Sequence, residues 1–582
     1  MKGTKIKKRI MQRLLLIISI VFIGSGLFAQ QNFNAGSVSG NFKLEAQAYI
    51  PDSLIGADTV NEKMLSNSYM NVIYTNGNFT AGVRFEGYFN TMQGYDQPYD
   101  GFGLANRYAT YQGDFIEVTG GNFYEQFGNG LIFRSYEDRD LGYDNAMDGM
   151  RVKFKPAKGV KLTGIIGNQR LYWEKGEGIV RGLDADISLN DFVPGFSESD
   201  HRLTIGGSFI SKYQKDENPL YNLPENVGAG AGRLNYSLKG FSLASEYAYK
   251  SQDPSFDNRY IYKPGSAFLL NANYSRKGMG AMLQYKWVDN MSFRSDREET
   301  INNVLVNNLP AISKNHSYAY AAMYPYATQV NGEAGLQAEL FYKFKKNSPI
   351  GGKYGTAVST NISRVVDIER TAINDSTNIA AMGTDGYETS FLSMSDSLIY
   401  QDFNVEIYKK FSKKLKGVFT YQNLKYNQNV LEGHLGMVNA HTVIADVTIK
   451  IKPKHALRIE AQALFTGMET DTAGNDYRQD YGNWAMLLLE YTISPHWFFA
   501  VSDQYNIISF DDDVAKNTLH VNYEKTSLQR NHYYSVAMGY TKESTRISLS
   551  YGKQREGILC VGGVCRSVPA AYGALISISH TF

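Results

Sequence analysis

The chain has 582 residues, 59 Lys and Arg against 57 Asp and Glu, and is rich in Tyr (42), Phe (31) and Gly (54) but poor in Pro (14) and Cys (2). Basic residues are scattered through it, so no field builds up that would favour nucleic acid. No segment beyond the first thirty residues is apolar enough, over the ~20 residues needed, to cross a bilayer as a helix. No Pro-rich, Ser-rich or single-charge linker divides the length into separate domains.

The first thirty residues have the layout of a secretory signal. Lys2, Lys5, Lys7, Lys8, Arg9 and Arg13 precede an apolar run from Leu14 to Phe28. Ser19, Gly24, Ser25 and Gly26 interrupt that run, which disfavours a retained anchor, and cleavage after Ala29 is expected, with residues 1–29 removed. Without the six basic residues of this segment the remainder has 53 Lys and Arg against 57 Asp and Glu, a net charge of −4. Gln30, not a cysteine, stands immediately after the cleavage point, which disfavours a lipoprotein.

From Ser37 onward the chain alternates. Val38, Gly40, Phe42, Leu44, Ala46 and Ala48 share one side of a predicted strand. Later segments repeat the pattern: Phe241, Leu243, Tyr247 and Tyr249 oppose Ser242, Glu246 and Lys250, and Val443, Ala445, Val447 and Ile449 oppose Asp446, Thr448 and Lys450. Leu457, Ile459, Ala461 and Phe465 oppose Arg458, Glu460 and Gln462, and the last strand sets Tyr572, Ala574, Ile576, Ile578 and Phe582 against Gly573, Ser577 and Ser579.

Tight turns predicted near residues 75–78, 155–160, 238–240, 276–278, 411–414, 452–455, 494–496 and 541–545 alternate with long polar stretches such as 51–63, 90–101, 212–225, 289–315, 367–397, 467–480 and 510–530. A β-sandwich would share the alternation. Short turns on one side with long loops on the other instead predict an all-β fold, a single large antiparallel transmembrane barrel over residues 30–582. It would have about 24 strands (roughly 22 to 26), short periplasmic turns and long extracellular loops. The strand-like stretch from Ser317 to Val330 breaks the alternation if placed in the wall, so it is assigned to a loop or to the interior. Tyr49, Tyr74, Trp173, Trp287, Trp484, Trp497 and Tyr551, near strand ends, are candidates for the interfacial aromatic girdles.

The least barrel-like segment, residues 120–151, places Glu125, Arg134, Glu137, Asp138, Arg139, Asp140, Asp144, Asp148 and Arg151 among glycines and aromatics. Two readings stay open. Either the segment folds into the lumen and its opposed charges form a pore constriction, or it is a solvated loop whose ion pairs stabilise little.

The run Gly-Asn-Phe-Tyr-Glu-Gln-Phe-Gly-Asn-Gly-Leu-Ile-Phe-Arg-Ser-Tyr-Glu-Asp-Arg from Gly121, with the Leu-Gly-Tyr-Asp-Asn-Ala-Met-Asp-Gly that follows at Leu141, resembles a porin-like outer-membrane family of Bacteroidota. That family has no assigned substrate, and the resemblance implies location and fold alone. The terminal Phe582 resembles the C-terminal aromatic by which barrel-assembly machinery recognises its substrates.

Cys560 and Cys565, in a glycine-containing loop before the last strand, are expected to form a disulfide that shapes the loop. Zinc would need two further ligands and no His lies nearby. Asp511 to Asp513 and the loop from Asp471 to Asp480 lack the ordered spacing of a calcium loop. No Gly-x-Ser-x-Gly, phosphate-binding loop or His-Glu-x-x-His motif is present, and the nine His are scattered, so no enzyme, metal or cofactor is expected.

The resulting expectation is an outer-membrane, porin-like channel of a Gram-negative cell for passive or weakly selective passage of small solutes. Its partners would be lipid, the assembly machinery and those solutes. A plug domain preceding the barrel has no room before Ser37. The rival reading is a non-conducting scaffold or assembly barrel that holds a surface lipoprotein or a secreted partner.

Overall fold

The computed structural model describes residues 36–582 except 194, 434–435, 468, 471–475, 478–481, 508–530 and 562–563. The expected signal segment, Asp511 to Asp513 and most of 471–480 lie outside the described residues. Helix is confined, among the described residues, to four turns of three or four residues.

The described residues form one 24-stranded antiparallel sheet in which each strand pairs with its neighbours in the chain. The first strand, Ser37–Tyr49, also pairs with the last, Ala571–Thr581, from Asn41 with Thr581 to Tyr49 with Gly573. The sheet therefore closes into a barrel, and no edge is left to present unpaired amides. At the seam the Gly40 N–H donates to the Phe582 carbonyl at 2.9 Å, and the Phe582 N–H donates back to the Gly40 carbonyl at 3.0 Å.

What separates this barrel from a soluble sandwich is the direction of the alternation. Asp402 and Asn404 are wholly buried while Phe403 between them is 39% exposed, and Asn361 and Ser363 are buried while Ile362 is 47% exposed. Apolar side chains face outward and polar ones inward. In water this arrangement would forfeit the burial that stabilises a core, whereas in hydrocarbon the outer face loses nothing.

Gly36, the first described residue, Phe582 and the tight turns sit at one end of the barrel. The turns through Gly77, Gly159 and Gly278 carry φ of +56°, +81° and +83°, a backbone that glycine adopts without a Cβ penalty. Two connections on this side, residues 189–200 and 344–355, are longer than the expected pattern, and on the other side the turn at Tyr172 and Trp173 is tight.

Three of the aromatics proposed for the girdles are placed otherwise. Trp484 points into the lumen, where it packs on Tyr320 and Tyr533, and Tyr49 faces inward beside Leu65. Trp287 lies on the outer face but is covered by Phe391, whose ring meets it edge-on at 5.3 Å. Period-two parity sets which face a strand residue takes, and aromatic character alone does not. Trp497 and Tyr551 do stand on the exposed outer surface.

Candidate functional site in the barrel lumen

A closed sheet of 24 strands at ~4.8 Å spacing and ~40° tilt is roughly 48 Å across, too wide for wall side chains to fill. Two loop-side connections fold into that space. The first, residues 124–146, links the strands Ile116–Phe123 and Met147–Ala157, and the second, residues 290–331, links Met279–Asp289 and Gly332–Lys343.

The sequence drives both inward because their apolar residues have no other cover. Phe127, Leu131, Ile132 and Phe133 of the first insert are wholly buried against Val180, Ile210 and Ala248 of the wall and Met291, Phe293 and Val306 of the second insert. Each such side chain contributes about 1.5–3 kcal/mol through burial. The second insert continues across the lumen to other wall strands, where Tyr320, Tyr324 and Tyr326 pack on Tyr400, Tyr426, Leu464 and Trp484. Polar tethers hold it there: His316 Nε2 lies 2.6 Å from Asp402, Lys314 donates to Asn404 at 3.1 Å, and the Tyr320 N–H donates to Gln462 at 2.9 Å. Residues 317–330 thus lie inside the barrel and supply no wall strand.

The inserts are bonded to each other. The Arg134 N–H donates to the Val306 carbonyl at 2.8 Å, and the Asn308 N–H donates to the Gly130 carbonyl at 3.0 Å. The Asn145 amide donates to the Leu305 carbonyl at 2.8 Å. Buried backbone groups that would otherwise lack partners are thereby satisfied.

Beneath the first insert lies an ion network. Arg84 and Glu86, two residues apart on one strand, face inward together, and Arg170 comes from the wall strand Val160–Leu171. Arg84 pairs with Glu86 at 2.7 Å, with Glu137 at 2.8 Å and with Asp144, while Arg170 pairs with Glu86 at 2.7 Å and Asp144 at 2.6 Å. Arg139 pairs with Glu137 and stacks over the Tyr69 ring at 3.5 Å. Three guanidinium groups therefore balance three carboxylates.

Burial alone would raise the Asp144 pKa, but Arg170 and Arg84, with hydrogen bonds from the Ala146 N–H and Tyr124 Oη, hold it below the ordinary carboxylate value. Burial pushes the Tyr124 phenol well above its usual value, aided by the Asp144 charge. Oxygens of Glu86, Glu137 and Asp144 lie within 4.8 Å of one another, a spacing that would suit a cation, but guanidinium groups already supply the positive charge there.

Of the nine residues singled out in the sequence, Glu137, Arg139 and Asp144 enter this network. Glu125 and Arg151 form a second cluster, with Arg151 at 2.7 Å from Glu117 and 3.4 Å from Glu125, and Lys153 at 2.7 Å from Glu125. Arg134 stacks over Tyr136 at 4.1 Å, Asp138 accepts the Leu141 N–H at 3.1 Å, and Asp140 is exposed at the turn. Asp148 is misplaced by the sequence reading: it takes the opposite face of its strand from Met147 and Arg151, and pairs outside the lumen with Arg107 at 3.2 Å and Lys175 at 2.9 Å. The opposed charges meet in direct contact, with no water gap between them. Arg84, Glu86 and Arg170 were not foreseen, although two opposite charges at i and i+2 on one strand were a legible sign of an inward polar face.

Cys560 and Cys565 are joined in a disulfide between the short paired strands Gly557–Val561 and Val564–Val568. The Asn302 amide of the second insert donates to the Cys565 carbonyl at 2.7 Å, which ties this hairpin to the insert.

Over residues 7–582 the sequence matches DUF6029, described as a family of unknown function. No curated protein matches it. Among solved structures, the siderophore receptor PirA from Pseudomonas aeruginosa is similar with 8% identity and a TM-score of 0.38, covering 94% of this chain and 80% of that one. A ferric enterobactin receptor (PfeA) mutant from the same organism shows 7% identity and a TM-score of 0.42, covering 94% and 81%. The copper transporter OprC shows 8% and 0.39, covering 96% and 82%.

Proposed function

We propose that this chain, which belongs to the DUF6029 family, is a porin-like outer-membrane barrel through which small polar solutes cross by a narrow route around its own lumen inserts. The observation that carries the reading is the inverted wall, apolar outside and polar within, around inserts anchored by hydrogen bonds and not by a sealed apolar plug alone. Residues 1–29 would direct export in a Gram-negative cell of the Bacteroidota, Phe582 would be read by the barrel-assembly machinery, and the loop side would face outward. Glu137, Arg139 and Asp144 of the first insert, with Arg84, Glu86 and Arg170, would hold in place the insert that narrows the route. Passage would be slow and selective compared with an open lumen of this width.

A second reading, a non-conducting barrel whose loops hold a surface or secreted partner, is favoured by one feature. The connection 367–397 exposes Ile373, Met382, Phe391 and Met394 on the loop side. Reconstitution in planar bilayers separates the two. Small unitary conductance that rises severalfold when residues 295–326 are replaced by a Gly-Ser linker supports the channel. Silence of both proteins refutes it, and a co-purifying protein then supports the scaffold.

A further inference from the structure

We propose that the cleft between the disulfide hairpin and the tip of the second insert binds ring-bearing organic anions, with the ring against tyrosine faces and the carboxylate on Arg566. The proposal deepens the transport reading by naming a solute class, and rests on that reading only for where the bound solute goes next.

The cleft has a volume of about 510 Å³ and opens on the loop side, between residues 94–99, 141–144, 300–304 and 566–569. That is the size of sites that take small organic molecules. Tyr95, Tyr99 and Tyr172 supply aromatic surface, with the Tyr99 and Tyr172 rings edge to face at 4.9 Å. Rings of sugars and of arenes both pack on such faces.

Two charges of the cleft lack an ion-pair partner among the described residues, Asp96 and Arg566, and only Arg566 offers donors to an anion. Asp144 and Arg170, at the cleft wall, neutralise each other within the ion network, and Asp96 accepts a hydrogen bond from Tyr172 Oη at 3.1 Å. Arg566 differs. It donates to the Gly94 carbonyl at 2.7 Å and stacks over Tyr95 at 4.3 Å, but no carboxylate among the described residues lies within ion-pair reach. Its Nε is buried with no hydrogen-bond partner among the described residues, and so is the hydroxyl of Tyr143, which lines the same cleft. Those two donors are sealed from the cleft, but Arg566 Nη2 is not buried and makes no hydrogen bond among the described residues, so an anion's oxygens can accept from it.

The guanidinium is also held in place before any ligand arrives. The disulfide closes its hairpin, and Asn302 fixes the hairpin to the insert through the Cys565 carbonyl. Gly94 has φ of +84°, and a Cβ there would come within 2.9 Å of Arg566 Nη1, so the close approach of this arginine depends on a glycine. Preorganisation of this kind lowers the entropy lost on binding.

The test is isothermal titration of the purified full chain in detergent. Glucuronate and 4-hydroxybenzoate are the acidic probes, the first with a saccharide ring and the second with an aromatic one. Glucose and 4-hydroxybenzyl alcohol are their neutral counterparts. At least one acid should bind, its neutral counterpart at least tenfold more weakly, and Arg566→Gln should weaken the acid at least tenfold. Leu559→Ala, an exposed position on the other strand of the hairpin and outside the cleft, should bind as the unaltered protein does, which controls for hairpin folding. Binding of glucuronate alone would assign a saccharide acid, and of 4-hydroxybenzoate alone an aromatic one. Failure of both acids to bind, equal binding of acid and neutral probes, or unaltered binding by Arg566→Gln would overturn the proposal. None of these outcomes bears on conductance, so the transport reading is judged separately.

Discussion

Replacing Asp144 with Asn should release the first insert from the wall while leaving the barrel folded. Asp144 is buried and accepts from Arg84, from Arg170 at 2.6 Å, from Tyr124 Oη at 2.9 Å and from the Ala146 N–H at 2.9 Å. The amide keeps the shape but removes the charge, and two buried guanidinium groups must then share Glu86 and Glu137. Breaking a buried pair of this kind costs about 3–5 kcal/mol. The wall strands keep their ladders, so the loss falls on the local opening of residues 124–146. At 1.4 kcal/mol per tenfold, amide exchange there should quicken by roughly 100- to 4000-fold, and wall peptides such as Leu415–Asn427 should be unchanged. Hydrogen exchange followed by mass spectrometry in detergent reads both. Exchange in the insert within threefold of the unaltered protein would refute the assignment of the network as its anchor, as would acceleration spread evenly over the barrel.

Acid should act on the same anchor. The Asp144 pKa is depressed in the folded state, so its stabilisation is full above the unfolded carboxylate value and is lost as pH falls through the lower folded one. Insert exchange should therefore be flat through neutral pH, after correction for intrinsic rates, and rise only below about pH 4; a rise centred near pH 6 would contradict this. Phe403→Arg, on the outer face, should destabilise the barrel in lipid vesicles by about 2–4 kcal/mol in urea unfolding. No loss there would mean that this face does not meet hydrocarbon. Replacing Cys560 and Cys565 with Ser should remove at most about 2 kcal/mol from the small hairpin. Because the hairpin is outside the wall, the urea midpoint of the barrel should not move, and a shift would show that the hairpin is coupled to the closure of the sheet.

Much of the wall was legible in the residues themselves. A strand has a period of two, so Phe241, Val443 or Leu457 announces its face whatever lies across from it, and Gly77 or Gly278 marks a turn through its own backbone freedom. The failure of Ser317 to Val330 to fit the alternation excluded it from the wall and left a loop or the interior, and the tertiary structure decided for the interior. The lumen was legible only as a suspicion. Glu137, Arg139 and Asp144 stood out as charges in an insert, but Asp144 lies 60 residues from its partner Arg84 and 26 from Arg170, and Arg170 lies 84 from Glu86. Nothing local distinguishes them from other inward polar positions. Asp148 shows the same limit from the other side, since a shift of one residue along a strand moves a charge from the lumen to the outer surface. Face and turn are properties of a few consecutive residues, whereas a charge network and a cleft between loops exist only once the cylinder closes and brings distant segments to the same depth.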